Sequence, residues 1–225
     1  MSEAPALERY QLKVVLRGIS PLIWRRVVVS SDTTLAELHD VVQVAMGWED
    51  EHLHRFRVHG QDHGLAKIGT PGFGNPRSVR LVDMRLHIRE RFLYEYNFQA
   101  PWEHDLRLEA KLLAKPRRPW PVCTGGQRAC PPEHRYGPEE YRCWLEDRYS
   151  FDARWALEEA AELILAAYER RLAGERLSED ERDELQEAAW LMQDYASFNP
   201  ERFDRKAVNA VLRERWHSRC SSDCS

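Results

Sequence analysis

A chain of 225 residues with 43% hydrophobic and 31% charged side chains has the make-up of a folded globular protein and excludes a disordered one. The formal net charge of −4 excludes a chain-wide electrostatic pull toward nucleic acid. Residues 1–115 carry 16 basic and 15 acidic side chains, against 17 and 22 in 116–225, so a nucleic-acid surface would have to be a local patch.

Taken in chain order, Tyr10 to Leu16 alternates apolar and polar residues, which predicts a strand with one buried face. Gly18-Ile19-Ser20-Pro21 supplies turn chemistry, and Ile23 to Val29 is a second β-branched run, so the two make a hairpin. Thr34-Leu35-Ala36-Glu37 fits a capping box, in which Thr and Glu satisfy the free amides of a helix start. Leu35, Leu38, Val42, Ala45 and Met46 follow at helical spacing, and Gly47 is placed to stop the helix. His52 to His59 predicts a third strand. Residues 60–78 are rich in Gly and Pro and predict a long loop. Phe92, Tyr94, Tyr96 and Phe98 alternate as another strand. Trp102, His104, Leu106 and Leu108 alternate as the next, with Glu103, Asp105, Arg107 and Glu109 on the other side. A hairpin, a crossing helix and further strands predict an α+β fold with a mixed sheet of the β-grasp, or ubiquitin-like, type.

Beyond Lys115 a Pro-, Gly- and Cys-rich connector is expected to pack on this domain. Helices are predicted over Asp152–Leu172, from the capping box at Ser178 to about Ala196, and from about Asp204 to Trp216. The expected division is a β-grasp-like domain over 1–115, the connector over 116–150 and a C-terminal helical region over 151–225. No apolar run approaches the roughly 20 residues that span a bilayer, and none looks like a secretory signal, so a cytoplasmic protein with reduced thiols is expected.

The blocks YQLKVVLRGISPLIWRRVVV, TTLAELHDVVQVAMGW, HLHRF, LYEYNFQAPWEHDLRLE, CTGGQRACPPE and FNPERFDRKAVNAVL occur in order along the chain. Together they resemble the plasmid pRiA4b ORF-3-like family, whose mobile-element members are called IS1096 element passenger proteins. That resemblance implies an association with plasmids or insertion elements and no established chemistry. The chain departs from the family in two places. Asn97, Gln99, Ala100 and Pro101 replace an acidic, Gly-containing turn, and His134-Arg135 stand where Asp and Cys commonly follow the CPPE element.

Three sets of residues are candidates for a site. On strand parity His52 and His54 share a face with Phe56 and Val58, and His104 shares one with Trp102 and Leu106. If the strands are neighbours, the histidines converge on a metal or a proton relay. The ordinary alternative is a hydrogen-bonded aromatic layer. Cys123 and Cys130, joined by His134 and Cys143, offer four zinc ligands, although six intervening residues are not knuckle spacing. Buried small thiols are the plainer possibility. The tail His217, Cys220 and Cys224 offers three more soft ligands at a terminus. Finally Arg25 and Arg26 beside Trp24, with Arg55 and Arg57 opposite Phe56, could hold a single strand by stacking and phosphate contact.

The chain contains no GxSxG elbow, Walker loop or HExxH. The expected role is therefore a non-catalytic binding or adaptor protein with a protein or nucleic-acid partner and no membrane. A zinc-binding domain or zinc-dependent enzyme competes with it, and a DNA-binding accessory factor in transposition is the third possibility.

Overall fold

A hairpin opens the chain, as its alternation dictates. β1 (Glu8–Leu16) and β2 (Trp24–Ser30) pair antiparallel, with Tyr10 opposite Val29 and Leu12 opposite Val27. The structure, a computed structural model, describes residues 8–64, 73–113 and 121–222, with side chains as far as 216. Helix α1 (Leu35–Met46) starts where predicted. Thr34 accepts the Glu37 amide while the Glu37 carboxylate accepts the Thr34 amide, and Gly47, left-handed at φ 83°, closes the last turn.

β3 (His54–Val58), β4 (Gln61–Gly64), β5 (Arg91–Tyr96), β6 (Trp102–Leu113) and β7 (Val122–Gln127) complete one sheet. Its strand order is β4-β3-β5-β6-β1-β2-β7. Every ladder between these strands is antiparallel, so the mixed sheet expected from sequence is not found. The architecture is α+β, an antiparallel seven-stranded sheet with five helices.

Period-2 alternation sets what each side of the sheet carries. Tyr10, Leu12, Val14 and Leu16 of β1, Phe92, Tyr94 and Tyr96 of β5, and Trp102, His104, Leu106 and Leu108 of β6 are all buried, as are nine residues along α1 from Leu35 to Met46, His39 and Gln43 among them. Cross-strand register turns this into rows. His54, Tyr96 and Trp102 form one, and Phe56, Tyr94, His104 and Leu16 the next.

Two strands lie where loops were expected. β4 occupies the start of the Gly- and Pro-rich stretch, whose residues 65–72 lie outside the described ones. β7 lies in the connector, with β-poor Gly125 and Gly126 held by pairing to Arg26 and Arg25 of β2. Tertiary pairing here overrides propensity. β7 is an outer strand, and Asn209 covers part of it. The Asn209 side chain accepts from the Cys123 amide at 2.8 Å and donates to the Cys123 carbonyl at 2.8 Å, occupying positions another strand would take.

Four further helices follow: α2 (Gly137–Arg148), α3 (Phe151–Leu172), α4 (Glu179–Ser197) and α5 (Arg205–Ser222). The contacts define two units, Met1–Glu139 with Glu201–Ser225, and Glu140–Pro200. In the first, α5 packs on β7 and α1. In the second, α3 and α4 pack together with Ala160 and Ala188 buried, and the Arg148 guanidinium donates to the Asp194 carboxylate and to the Asp194 and Tyr195 carbonyls. No helix among the described residues is long and apolar enough to cross a membrane.

Candidate functional site

The functional candidate grows from the buried face of α1. Position 39 lies four residues after Leu35 and three before Val42, inside the stripe that faces the sheet. A histidine there is buried, at 3% exposure. Its Nδ1 lies 2.8 Å from the Tyr94 hydroxyl and its Nε2 lies 2.8 Å from Asp50 Oδ1. Gln43, one turn later, donates to the same Tyr94 hydroxyl at 2.8 Å and accepts the Asp50 amide at 3.2 Å. His54 of β3 stacks on His39, 3.5 Å between centroids with 7° between planes. The ligand atoms of His39, Asp50 and His54 all lie within 4.8 Å of one another.

What holds Asp50 in place is a loop gripped from far along the chain. The loop between α1 and β3 carries Asp50 at φ 65°, a conformation Asp tolerates better than most residues yet one that costs free energy. Glu133, from the CPPE element, accepts the amides of Glu49 at 2.5 Å and Glu51 at 3.1 Å. It also accepts the Tyr96 hydroxyl, and that hydroxyl accepts the His52 amide at 3.0 Å. Trp48 donates to the Pro131 carbonyl at 2.9 Å and stacks on Tyr96. Residues that carried the family resemblance (Trp48, Tyr96, Pro131 and Glu133) thus converge on one loop, while Tyr94 holds His39 and Gln43 on the helix before it.

Electrostatics fix the charge states. Burial opposes ionisation of Asp50, but the hydrogen bond and charge of His39 outweigh it and hold the carboxyl below its ordinary range. An ionised carboxylate only accepts, so His39 Nε2 carries the hydrogen between them. Burial, reinforced by neighbouring His39, takes His54 down to about 3, and burial takes His104 down to about 3 as well. Both are neutral imidazoles at neutral pH. Burial drives the Tyr94 and Tyr96 phenols upward, so they stay protonated. Asp50 is the solvent-facing edge of the cluster, its side chain 49% exposed.

The histidines anticipated from strand parity are placed as follows. His54 and His104 flank Tyr94, with ring centroids 5.9 and 5.3 Å away. His104 Nδ1 lies 3.0 Å from the Trp102 carbonyl. His52 precedes β3 and packs its ring edge-on to Tyr96, outside the cluster. The partner that sequence reasoning missed is His39. Its signal was available, since it sits within the apolar stripe of the helix.

The cysteine set does not come together. Cys130 is buried against Arg25 Nη2 at 3.3 Å and Met46 Sδ at 3.0 Å, and burial raises its thiol to about 11. Cys123 is buried on β7, its thiol donating to the Gly125 carbonyl, and burial raises it too. His134 is exposed, and Cys143 is exposed on α2 in the other unit. Among the described residues, His39, Asp50 and His54 are the one group of three or more such side chains with ligand atoms this close. His217, Cys220 and Cys224 lie outside the described side chains.

The arginines are occupied within the chain. Arg25 is buried, donating to the Ala45, Trp24 and Gln127 carbonyls and lying over the Phe203 ring. Arg26 pairs with Glu109 at 2.5 Å, Arg55 with Glu95 and Asp62, and Arg57 with Asp62. Acidic partners line the same side of the sheet, so these four do not make an uncompensated basic patch. Asp105, as parity required, points away from His104 and faces Arg17 and Arg91.

An antiparallel α+β sheet protein with a polar cluster beneath one helix is the class these features define. The chain belongs to the plasmid pRiA4b ORF-3-like family, which it matches over residues 8–153. It is 33% identical over 140 residues to the uncharacterized protein y4hQ of Sinorhizobium fredii, covering 60% of this chain and 71% of that one. It is also similar to the crystal structure of a protein of unknown function, MM3350 from Methanosarcina mazei, with a TM-score of 0.66 and 27% identity over 90% of this chain and 97% of that one.

Proposed function

We propose that the protein is a non-catalytic adaptor that binds another protein through its helical unit. The observation that carries this is the outer side of α3. Phe151, Trp155, Leu165, Tyr168 and Leu172 fall on one side of that helix at 100° per residue, and each is more than half exposed. Trp190 of α4 is exposed as well. An isolated exposed apolar residue is ordinary, but a run of large ones along a helix is the mark of an interaction surface.

Charge narrows the partner. Residues 140–200 carry 16 acidic and 7 basic side chains. Such a unit repels nucleic acid and a second copy of itself, and favours a protein surface with an apolar centre and a basic rim. An association with plasmids or insertion elements, expected from the family resemblance, belongs to this proposal.

The test compares the full chain with a Trp155→Ser/Trp190→Ser variant in affinity capture from a host extract, followed by titration with the purified captured protein. The expected result is one basic-surfaced protein that binds the wild type, weakens with salt and is lost with the variant. Equal capture by both forms, or a wild-type dimer in sedimentation that the variant abolishes, contradicts the proposal.

A further inference from the structure

We propose that His39, Asp50 and His54 form a binding site for a borderline divalent transition-metal ion, with zinc as the reference ligand. Three donors from α1, the following loop and β3 place their ligand atoms within 4.8 Å of one another. Nothing in strand spacing alone would produce that meeting. It requires Asp50 to turn back at φ 65° onto the helix it has just left.

A second observation points the same way. His54 is 3% exposed, and its Nε2 is buried without a hydrogen-bond partner. Leaving such an atom unsatisfied costs on the order of 1–3 kcal/mol, and native proteins retain one where it has a use. A metal ion would satisfy it directly.

Donor chemistry selects the cation. Two imidazole nitrogens and one carboxylate oxygen suit zinc and its neighbours, whereas magnesium and calcium demand shells of oxygen. Metal bonds of about 2.0–2.2 Å lie in the plane of each imidazole and hold tetrahedral donors roughly 3.3 Å apart, so the His54 ring must turn out of its parallel stack on His39, and Asp50 must ease away from His39 Nε2, now 2.8 Å distant. Its half-exposed side chain has room to do so, and the same opening admits a water as fourth ligand. With the metal on Nε2, the imidazole hydrogen moves to Nδ1. The Tyr94 hydroxyl, which donates to Nδ1 in the metal-free protein, must turn its own hydrogen aside to accept it, and Gln43 donates to the same oxygen. The proposal is independent of the helical docking surface and does not use the cysteines.

The test uses the full chain, stripped with chelator, dialysed and titrated with zinc chloride against a competing indicator. The expected result is one zinc per chain, with affinity falling by about a hundredfold or more in Asp50→Ala, since even outer-shell losses cost tenfold to a hundredfold. A Cys123→Ser/Cys130→Ser variant should bind as the wild type does. Cobalt loading of the wild type should give tetrahedral visible bands without a thiolate charge-transfer band, a readout independent of how any variant folds. No retained zinc in the wild type, undiminished affinity in a folded Asp50→Ala, or a strong thiolate band each overturns the proposal.

Discussion

The imidazoles of His39 and His54 lie face to face, 3.5 Å between centroids and 7° from parallel, one carried by α1 and the other by β3. Two cations cannot share that geometry in a buried place. The arrangement therefore commits at least His54 to the neutral form, and it joins the helix to the sheet through polar groups where an apolar contact would also have served.

Asp50 is the residue most exposed to a simple test. Asp50→Ala removes the acceptor of His39 and keeps a side chain in the left-handed region without the local hydrogen bonding that makes it tolerable. The expected loss is about 2 kcal/mol by equilibrium urea denaturation. Asp50→Gly loses the acceptor but not the backbone fit, so it should lose clearly less. Equal losses would show that the left-handed backbone is not costly here.

Glu133 holds three donors that lie 37 to 84 positions earlier in sequence. Glu133→Ala should cost about 2 kcal/mol, because charge-assisted bonds to two backbone amides vanish together. The amides of Glu49 and Glu51 should then exchange with solvent much faster in hydrogen-exchange mass spectrometry. Unchanged protection of that loop would remove Glu133 from the account.

Arg25 and Arg57, both read from sequence as phosphate contacts, should respond in opposite ways. Arg25→Met strands the Ala45 and Gln127 carbonyls in the interior and should destabilise by about 3 kcal/mol. Arg57→Ala, at an exposed pair with Asp62, should leave the unfolding midpoint nearly where it was.

His104 predicts a pH dependence with a definite sign. Its folded value is depressed to about 3 from an ordinary 6.5, so the unfolded chain binds the extra proton. Stability from this group is complete above pH 6.5 and is lost as pH falls toward 3, at about 1.4 kcal/mol per pH unit. Carboxylates add their own acid lability, so the measurement is the difference in slope between wild type and His104→Leu. Parallel curves over that window would contradict a neutral buried His104.

The local elements were legible because each rests on short-range physics. Thr34 and Glu37 announce a helix start, Gly47 its end, and alternation around Tyr94 and His104 gives the buried side of two strands. The strand that Val122–Gln127 adds was not legible, since its glycines are held extended by pairing with β2 and not by their own propensity. His39 escaped because counting apolar residues passes over a polar one in the same stripe. Glu133 could not be assigned from its neighbours at all, since the amides it binds are brought to it by the fold. Parity placed Arg55 and Arg57 opposite Phe56, but standing beside Trp24 said nothing of burial, and Arg25 lies buried among carbonyls while its neighbours Arg26 and Trp24 are partly exposed.

The most direct test of the central claim, that distant signature residues hold Asp50 against His39, is long-range proton–nitrogen NMR of the His39 ring. In the metal-free wild type at neutral pH, Nε2 should carry the hydrogen and show the slow exchange of a bond to Asp50. In Glu133→Gln, which touches neither residue, that hydrogen should exchange quickly. A His39 spectrum indifferent to Glu133, or one with Nε2 bare in the wild type, would contradict the account.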